Sequence, residues 1–219
     1  MGKQSMYTLY FSPGACSLPS HIALEESDLR YCTVEVNTRR GETWAPGYLS
    51  INPAGKVPAL RLPNDEVLTE GGAILNYVAD LVPEKALLPK PGTLERARAQ
   101  EWVNYLASTV HPAFRPMFRP ERLIGSRPED IRTLQTVGLE VLRQVFTELD
   151  RRLQGLSYAL GDRYSICDAY LLLFWLWIKR MGPLADCIEC PNLNRIMAAV
   201  SERPAISRVL QHEGLRAAA

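Results

Sequence analysis

The chain has 219 residues, 47% of them hydrophobic and 22% charged, with a formal net charge of +1. That length and apolar content allow one large or two small packed domains. The near-neutral balance excludes a broad field for steering nucleic acid or an anionic membrane, leaving small molecules or protein subunits as partners.

Met1-Gly2-Lys3-Gln4-Ser5 lacks an apolar signal core and reads as a short extension ahead of the first strand. Met6 to Phe11 is rich in aromatic and β-favouring residues and predicts a strand; Ser20 to Glu26 has helical spacing. Between them, Ser12-Pro13-Gly14-Ala15-Cys16-Ser17 places one thiol at the strand-to-helix junction. The N–H donors and partial positive charge of a helix start favour thiolate over thiol, which would make Cys16 reactive. A buried cysteine that merely packs is the competing reading.

A second strand is expected at Tyr31 to Val36, then a loop rich in turn formers. Strands at Val57 to Leu62 and Glu66 to Leu68 flank the turn Pro63-Asn64-Asp65, and a helix follows from Gly71 to Leu81. This β-α-β then β-β-α order suits a small mixed sheet with helices on its faces. Leu87 to Gly92 reads as a linker, after which the pattern is helical to the end. Helical periodicity runs over Leu94 to Val110 and Ile131 to Leu153. Pro112, Pro116 and Pro120 recur every four residues and predict a kinked or terminated helix. Ser165-Ile166-Cys167-Asp168 reads as a capping box opening a buried helix, Ala169 to Ile178, whose apolar run is about half the length of a bilayer span.

Five cysteines, at 16, 32, 167, 187 and 190, make no secreted disulfide framework, so a reducing cytoplasm is expected. Cys187-Ile188-Glu189-Cys190 has the spacing of a redox pair or half a zinc site. It lacks a preceding strand and a second ligand pair, and is read as incidental packing or surface cysteines. No metal site is expected.

Dithiol redox sites place a second cysteine three residues after the first, but that position is Pro19 here, so Cys16 closes no local disulfide. A monothiol site points to chemistry with a small thiol. Val57-Pro58 heads a strand, where proline is tolerated; an ordinary strand-start proline is the plain alternative. Thr69-Glu70-Gly71-Gly72 precedes a helix whose N–H groups suit a carboxylate, while the Glu70 side chain suits an ammonium. A simple helix cap would look the same.

Together with Ile51-Asn52-Pro53-Ala54-Gly55-Lys56-Val57-Pro58 and Asp168-Ala169-Tyr170, these motifs resemble, in order and spacing from Met6 to Leu215, bacterial beta-class glutathione S-transferases. The resemblance implies an α/β plus all-α architecture: a thioredoxin-like glutathione-binding domain over 6–86, and an all-helical domain over 92–219 that binds a small hydrophobic electrophile. It implies a cytoplasmic homodimer engaged in detoxification, with glutathione as co-substrate. Cys16 then matches the cysteine that contacts, or forms a mixed disulfide with, glutathione. Val57 matches the residue whose backbone pairs with the tripeptide beside a cis Pro58, and Glu70 and Gly71 match the γ-glutamyl anchors.

In the helical half, Asn104 and His111 lie seven residues apart and so on one face of a regular helix. His111 resembles the family histidine near the thiol. As imidazolium it would favour thiolate, and as a neutral ring it could act as a base. Phe114, Met117 and Phe118 would line the electrophile pocket or fill the core. Two departures stand out: the loop after the second strand carries Arg39-Arg40 where relatives have a lysine, and Pro112 follows the histidine where they often have one. A non-catalytic binding protein on the same fold, a glutathione-dependent isomerase or dehalogenase, and a thiol–disulfide exchange enzyme are the other readings.

Overall fold

The structure, a computed structural model, describes residues 6–215. The expected N-terminal extension, Met1 to Ser5, lies outside these, as do residues 216–219 of the expected helical half.

Four strands form one sheet in the order β2-β1-β3-β4: β1 (Tyr7–Phe11), β2 (Tyr31–Glu35), β3 (Ala59–Arg61) and β4 (Val67–Thr69). β1 pairs with β2 in parallel, with Tyr7 opposite Tyr31, because the helix α1 (Leu18–Ser27) carries the chain back between them. β3 runs antiparallel to β1, with Leu60 opposite Leu9, and β4 antiparallel to β3 through a tight turn in which Asp65 N donates to Leu62 O. After the short helix α2 (Pro46–Leu49), the peptide Val57–Pro58 leads into β3 and is cis. α3 (Gly71–Leu81) packs beside α1, so Leu9, Leu18, Ile22, Leu60, Ile74, Leu75 and Val78 bury one face of the sheet completely.

The remainder is helical: α4 (Leu94–Tyr105), α5 (His111–Ala113), α6 (Arg115–Phe118), α7 (Glu121–Ile124), α8 (Pro128–Arg152), α9 (Ile166–Lys179), α10 (Pro191–Ser201) and α11 (Pro204–His212). The predicted rod from Leu94 to Val110 is not a regular α-helix. Residues Leu106–Val110 form a π-helical turn, with His111 N donating to Leu106 O. Pro112 is a physical cause: it has no N–H to return to Ser108, and the turn widens before it. Pro116 lies in the first turn of α6 and Pro120 caps α7, so the proline series breaks the segment into three short helices.

α9 is the central pillar, with every residue from Ile166 to Ile178 buried. Its start is the predicted capping box: Cys167 N donates to Ser165 Oγ (3.2 Å), and Ser165 N to Asp168 Oδ2 (2.8 Å). The other carboxylate oxygen of Asp168 accepts Ala159 N at 2.7 Å. Burial pushes this carboxyl up to about 6, opposed by those same donors.

α1 packs against both α9 and α11, which joins the sheet half to the helical half, and Arg203 to Glu26 and Arg208 to Glu25 add ion pairs along that seam. Among the described residues no helix is long and apolar enough to cross a membrane, and no group of three or more His, Cys, Asp or Glu could hold a metal ion. All five cysteines are free thiols. Cys187 is exposed and Cys190 buried, each reaching only a nearby backbone carbonyl or, for Cys190, Asn194.

Candidate active site

The chain leaves β1 at Phe11 and makes a tight turn before α1. Ser17 closes the turn, its Oγ accepting Ser12 N (3.1 Å) and donating to Ser12 O (3.2 Å). Gly14 lies inside it at φ 62, a backbone conformation that favours glycine, and a Cβ there would sit 2.3 Å from the Arg180 guanidinium, which would have to move. The two peptide groups of Gly14 are taken up by the helical half. Gly14 N donates to Glu213 Oε2 at 2.7 Å; Gly14 O accepts Trp177 Nε1 at 2.9 Å and Arg180 Nη1 at 3.1 Å. Glu213 is buried and also meets His21 Nδ1 of α1 at 2.8 Å.

This turn presents Cys16, half-buried, immediately before α1. Its thiol donates to Val57 O at 3.0 Å. The expected thiolate is not what this environment favours. Burial pushes the Cys16 thiol up to about 11, outweighing its own backbone N–H and the charge of Lys56, while Glu70 adds to the upward push. A helix start was the local signal; the packed surroundings that bury the thiol are tertiary and decide the outcome.

Val57 is fixed by the loop before it. Tyr48 Oη and Asn52 Nδ2 both donate to Lys56 O, at 2.6 and 2.7 Å, and Ala54 N donates to Asn52 Oδ1. Tyr10, Val36, Tyr48, Val57 and Ala59 make a small apolar cluster against which Cys16 packs. On the far side of Pro58, Glu70 adopts φ 66, ψ 116, a conformation costly for a residue with a side chain, and hands the chain to α3. A Cβ on Gly71 would sit 3.8 Å from Pro58 Cγ and 4.0 Å from Cys16 O, so Cys16, Pro58, Glu70 and Gly71 surround one spot.

The helical half closes that spot from above. His111, at the end of the π-turn, packs edge-on to Trp177 (5.2 Å between ring centres) and against Phe174 (6.0 Å). Phe114 and Phe118 complete this aromatic wall, each with its ring within 5.2 Å of Trp177. Burial, with the charges of Arg115 and Lys56, lowers His111 to about 4. The imidazolium expectation therefore gives way to a neutral ring at physiological pH. No hydrogen bond joins His111 to Cys16 among the described residues.

Asn104 is exposed while His111 is half-buried. The π-turn between them removes the regular α-helical register on which their common face depended. Phe114 is core, whereas Phe118 is 41% exposed and available to a ligand.

Several site residues carried no local signal in the sequence. Tyr170 lies close enough for Cys16 and Glu70 to reinforce the upward push that burial gives its hydroxyl. Tyr170 and Trp177 sit in an apolar run that reads as core, and Glu213 in a short polar stretch after α11.

Residues 14–81 match the family model for the N-terminal domain of glutathione S-transferase, and residues 106–204 the model for its C-terminal domain. The chain is similar to the glutathione S-transferase GstA of Escherichia coli O157:H7, at 36% identity over 95% of this chain and 99% of that one. Among solved structures it is similar to a glutathione transferase homologue from Sulfitobacter with bound glutathione, with a TM-score of 0.87 and 33% identity over 97% of this chain and 100% of the other. It is also similar to the bacterial beta-class glutathione S-transferase of Sphingomonas chungbukensis, with a TM-score of 0.84 and 37% identity over 95% and 100% of the two chains.

Proposed function

The chain belongs to the glutathione S-transferase family, and from that premise we propose that it joins the sulfur of glutathione to a small electrophile in the space between Cys16 and the His111–Trp177 wall. The single observation that carries this reading is the meeting of Cys16, Val57, Pro58, Glu70 and Gly71 at one spot, in a chain whose family acts on glutathione.

In this reading the cysteinyl backbone of the tripeptide pairs with Val57 beside Pro58. The γ-glutamyl carboxylate lies at the first N–H groups of α3, and its ammonium meets the Glu70 carboxylate. Gly71 contributes its backbone alone. The glutathione sulfur comes to rest near Cys16, whose protonated thiol donates a hydrogen bond to a sulfur anion, and near Lys56, whose charge favours that anion. The thiol proton leaves to solvent, through a water that a neutral His111 can hold. The rate gain then comes chiefly from bringing two substrates together in a fixed orientation.

We further propose the beta class, a cytoplasmic location and a homodimer. A monothiol site and the similarity to a beta-class structure support the first, and five free thiols support the second. The third is supported by an apolar groove of about 390 Å³ between α5, α6 and α8, where Val137 and Val141 are 57% and 41% exposed. Asn104, exposed on the same helical segment, belongs in this reading to a site completed across the dimer. Calorimetry with glutathione tests the core of the proposal: binding in the micromolar to millimolar range is expected, and absence of binding would favour a scaffold that has lost the chemistry.

A further inference from the structure

Five cations ring the mouth of the site. Lys56 stands beside Cys16 and close enough to His111 to disfavour its protonation, as does Arg115. Arg119 lies one residue beyond the exposed Phe118, and its Nη2 reaches Thr38 O on the loop that follows β2. Arg180, three residues after Trp177, reaches Gly14 O, and Arg39 is near enough to Arg180 to destabilise its charge. None of the five is ion-paired within 4 Å among the described residues. Elsewhere some surface cations are paired, Arg143 with Glu140 and Arg151 and Arg152 with Glu148, while others such as Arg122 and Arg132 are in no ion pair within 4 Å among the described residues, so what marks the five is their gathering around one cleft.

Two carboxylates face this ring. Glu213 is buried and committed to Gly14 N and His21, and Glu70 lies on the sheet side at the start of α3. Unpaired like charges gathered around a cleft repel one another and persist at a cost unless an anion joins them. Glutathione brings two carboxylates and one ammonium, and in the arrangement above one carboxylate goes to the backbone of α3. The other suits Lys56 or Arg39, on the sheet side. Arg115, Arg119 and Arg180, on the helical side beside Phe118 and Trp177, are left facing the second substrate.

We propose that the electrophile taken by this site carries a carboxylate or comparable acid group, held by Arg115, Arg119 and Arg180 while its apolar part lies on Phe118, the exposed member of the aromatic wall. This rests on the transferase reading and names its substrate class. In an aromatic substitution on such a substrate, the thiol proton leaves to solvent and the carbon–sulfur bond forms. Chloride then departs with its bonding pair, so no oxidant or reductant is needed.

A matched pair of probes tests it: 4-chloro-3-nitrobenzoate and its methyl ester, each with glutathione, with kcat/KM divided by the uncatalysed rate constant for the same probe. The acid is expected to be favoured about tenfold at low salt, the worth of one charge-assisted hydrogen bond. The preference shrinks as ionic strength rises. In Arg115→Gln, Arg119→Gln and the double variant, the acid-to-ester ratio falls towards one. Equal normalised turnover of the two probes, or a ratio that neither salt nor the variants move, overturns the proposal while the transferase reading stands. Variants that weaken acid and ester alike, in step with glutathione affinity, assign the cations to glutathione and also overturn it. If neither probe is consumed and calorimetry finds no glutathione bound, both readings fail.

Discussion

Glu213 and Gly14 lie 199 positions apart in the chain and are joined by a 2.7 Å hydrogen bond from the Gly14 N–H to the Glu213 carboxylate. The turn that carries Cys16 is therefore held from the residue that follows α11. With Trp177 and Arg180 on the carbonyl of the same residue, its geometry is decided outside its own half of the fold.

Glu213→Ala leaves a buried N–H without a partner and strips His21 of its carboxylate. A loss of about 1–3 kcal/mol in unfolding free energy is expected, read from urea midpoints. The KM for glutathione should rise as the turn loosens. Glu213→Gln keeps an acceptor for one of the two partners and should recover a substantial part of both losses. Equal behaviour of the two variants would show that the carboxylate does not order the turn.

Glu70→Gly should separate stability from binding. Relief of a left-handed backbone conformation at a residue with a side chain is worth about 1 kcal/mol, offset in part by the greater freedom glycine has when unfolded. The variant should be close to wild type or more stable on thermal melting, yet bind glutathione more than tenfold more weakly by calorimetry, having lost the partner of the ammonium group. Unchanged affinity would remove Glu70 from the site.

Proton linkage at His111 has a definite sign. Its folded pKa of about 4 lies below the ordinary 6.5, so between these values the unfolded chain binds a proton that the folded chain refuses. The resulting stability is present above pH 6.5 and is lost as pH falls to about 4, on the order of 3 kcal/mol. Asp168, raised to about 6, acts in the opposite sense, losing stability as pH rises from about 4 to 6. Melting curves of wild type and His111→Gln between pH 4 and 7 isolate the first effect. The wild-type melting temperature should fall more steeply on acidification than that of the variant, and parallel curves would contradict the lowered value.

Cys16 at about 11 predicts a sluggish nucleophile in the free enzyme. Alkylation by iodoacetamide should be slow at pH 7, with Cys187 the first site modified by peptide mapping, and should accelerate at Cys16 only in alkaline solution. Cys16→Ala should keep part of the conjugating activity and lose any reduction of glutathione mixed disulfides. A variant that still reduces them would show that Cys16 forms no covalent intermediate.

The parts of this molecule that could be read from the chain are those governed by neighbours in sequence. The aromatic and β-favouring run before Ser12, the Ser165–Asp168 box and the proline series each specify local backbone, and each took the form its chemistry dictates. Strand ends moved by a residue or two: β3 begins at Ala59 because Val57 and Pro58 are turned towards the site. What could not be read was set by distance. The protonation of Cys16 is set by burial among elements distant in the chain, and its thiol donates to a carbonyl 41 positions away. Whether Asn104 and His111 share a face depends on how the backbone widens before Pro112, and the use of Glu213 depends on where α11 ends.

Gly14 also bears on how such a chain can be recombined. Its N–H and C=O are satisfied by side chains from the opposite half, and Arg180 occupies the space where any Cβ would go. A chimaera that keeps this sheet half and borrows the helices of a relative inherits the thiol but not the grip on its turn. Compatibility between parent halves is therefore to be judged first at three positions, 177, 180 and 213, before any residue that touches a substrate.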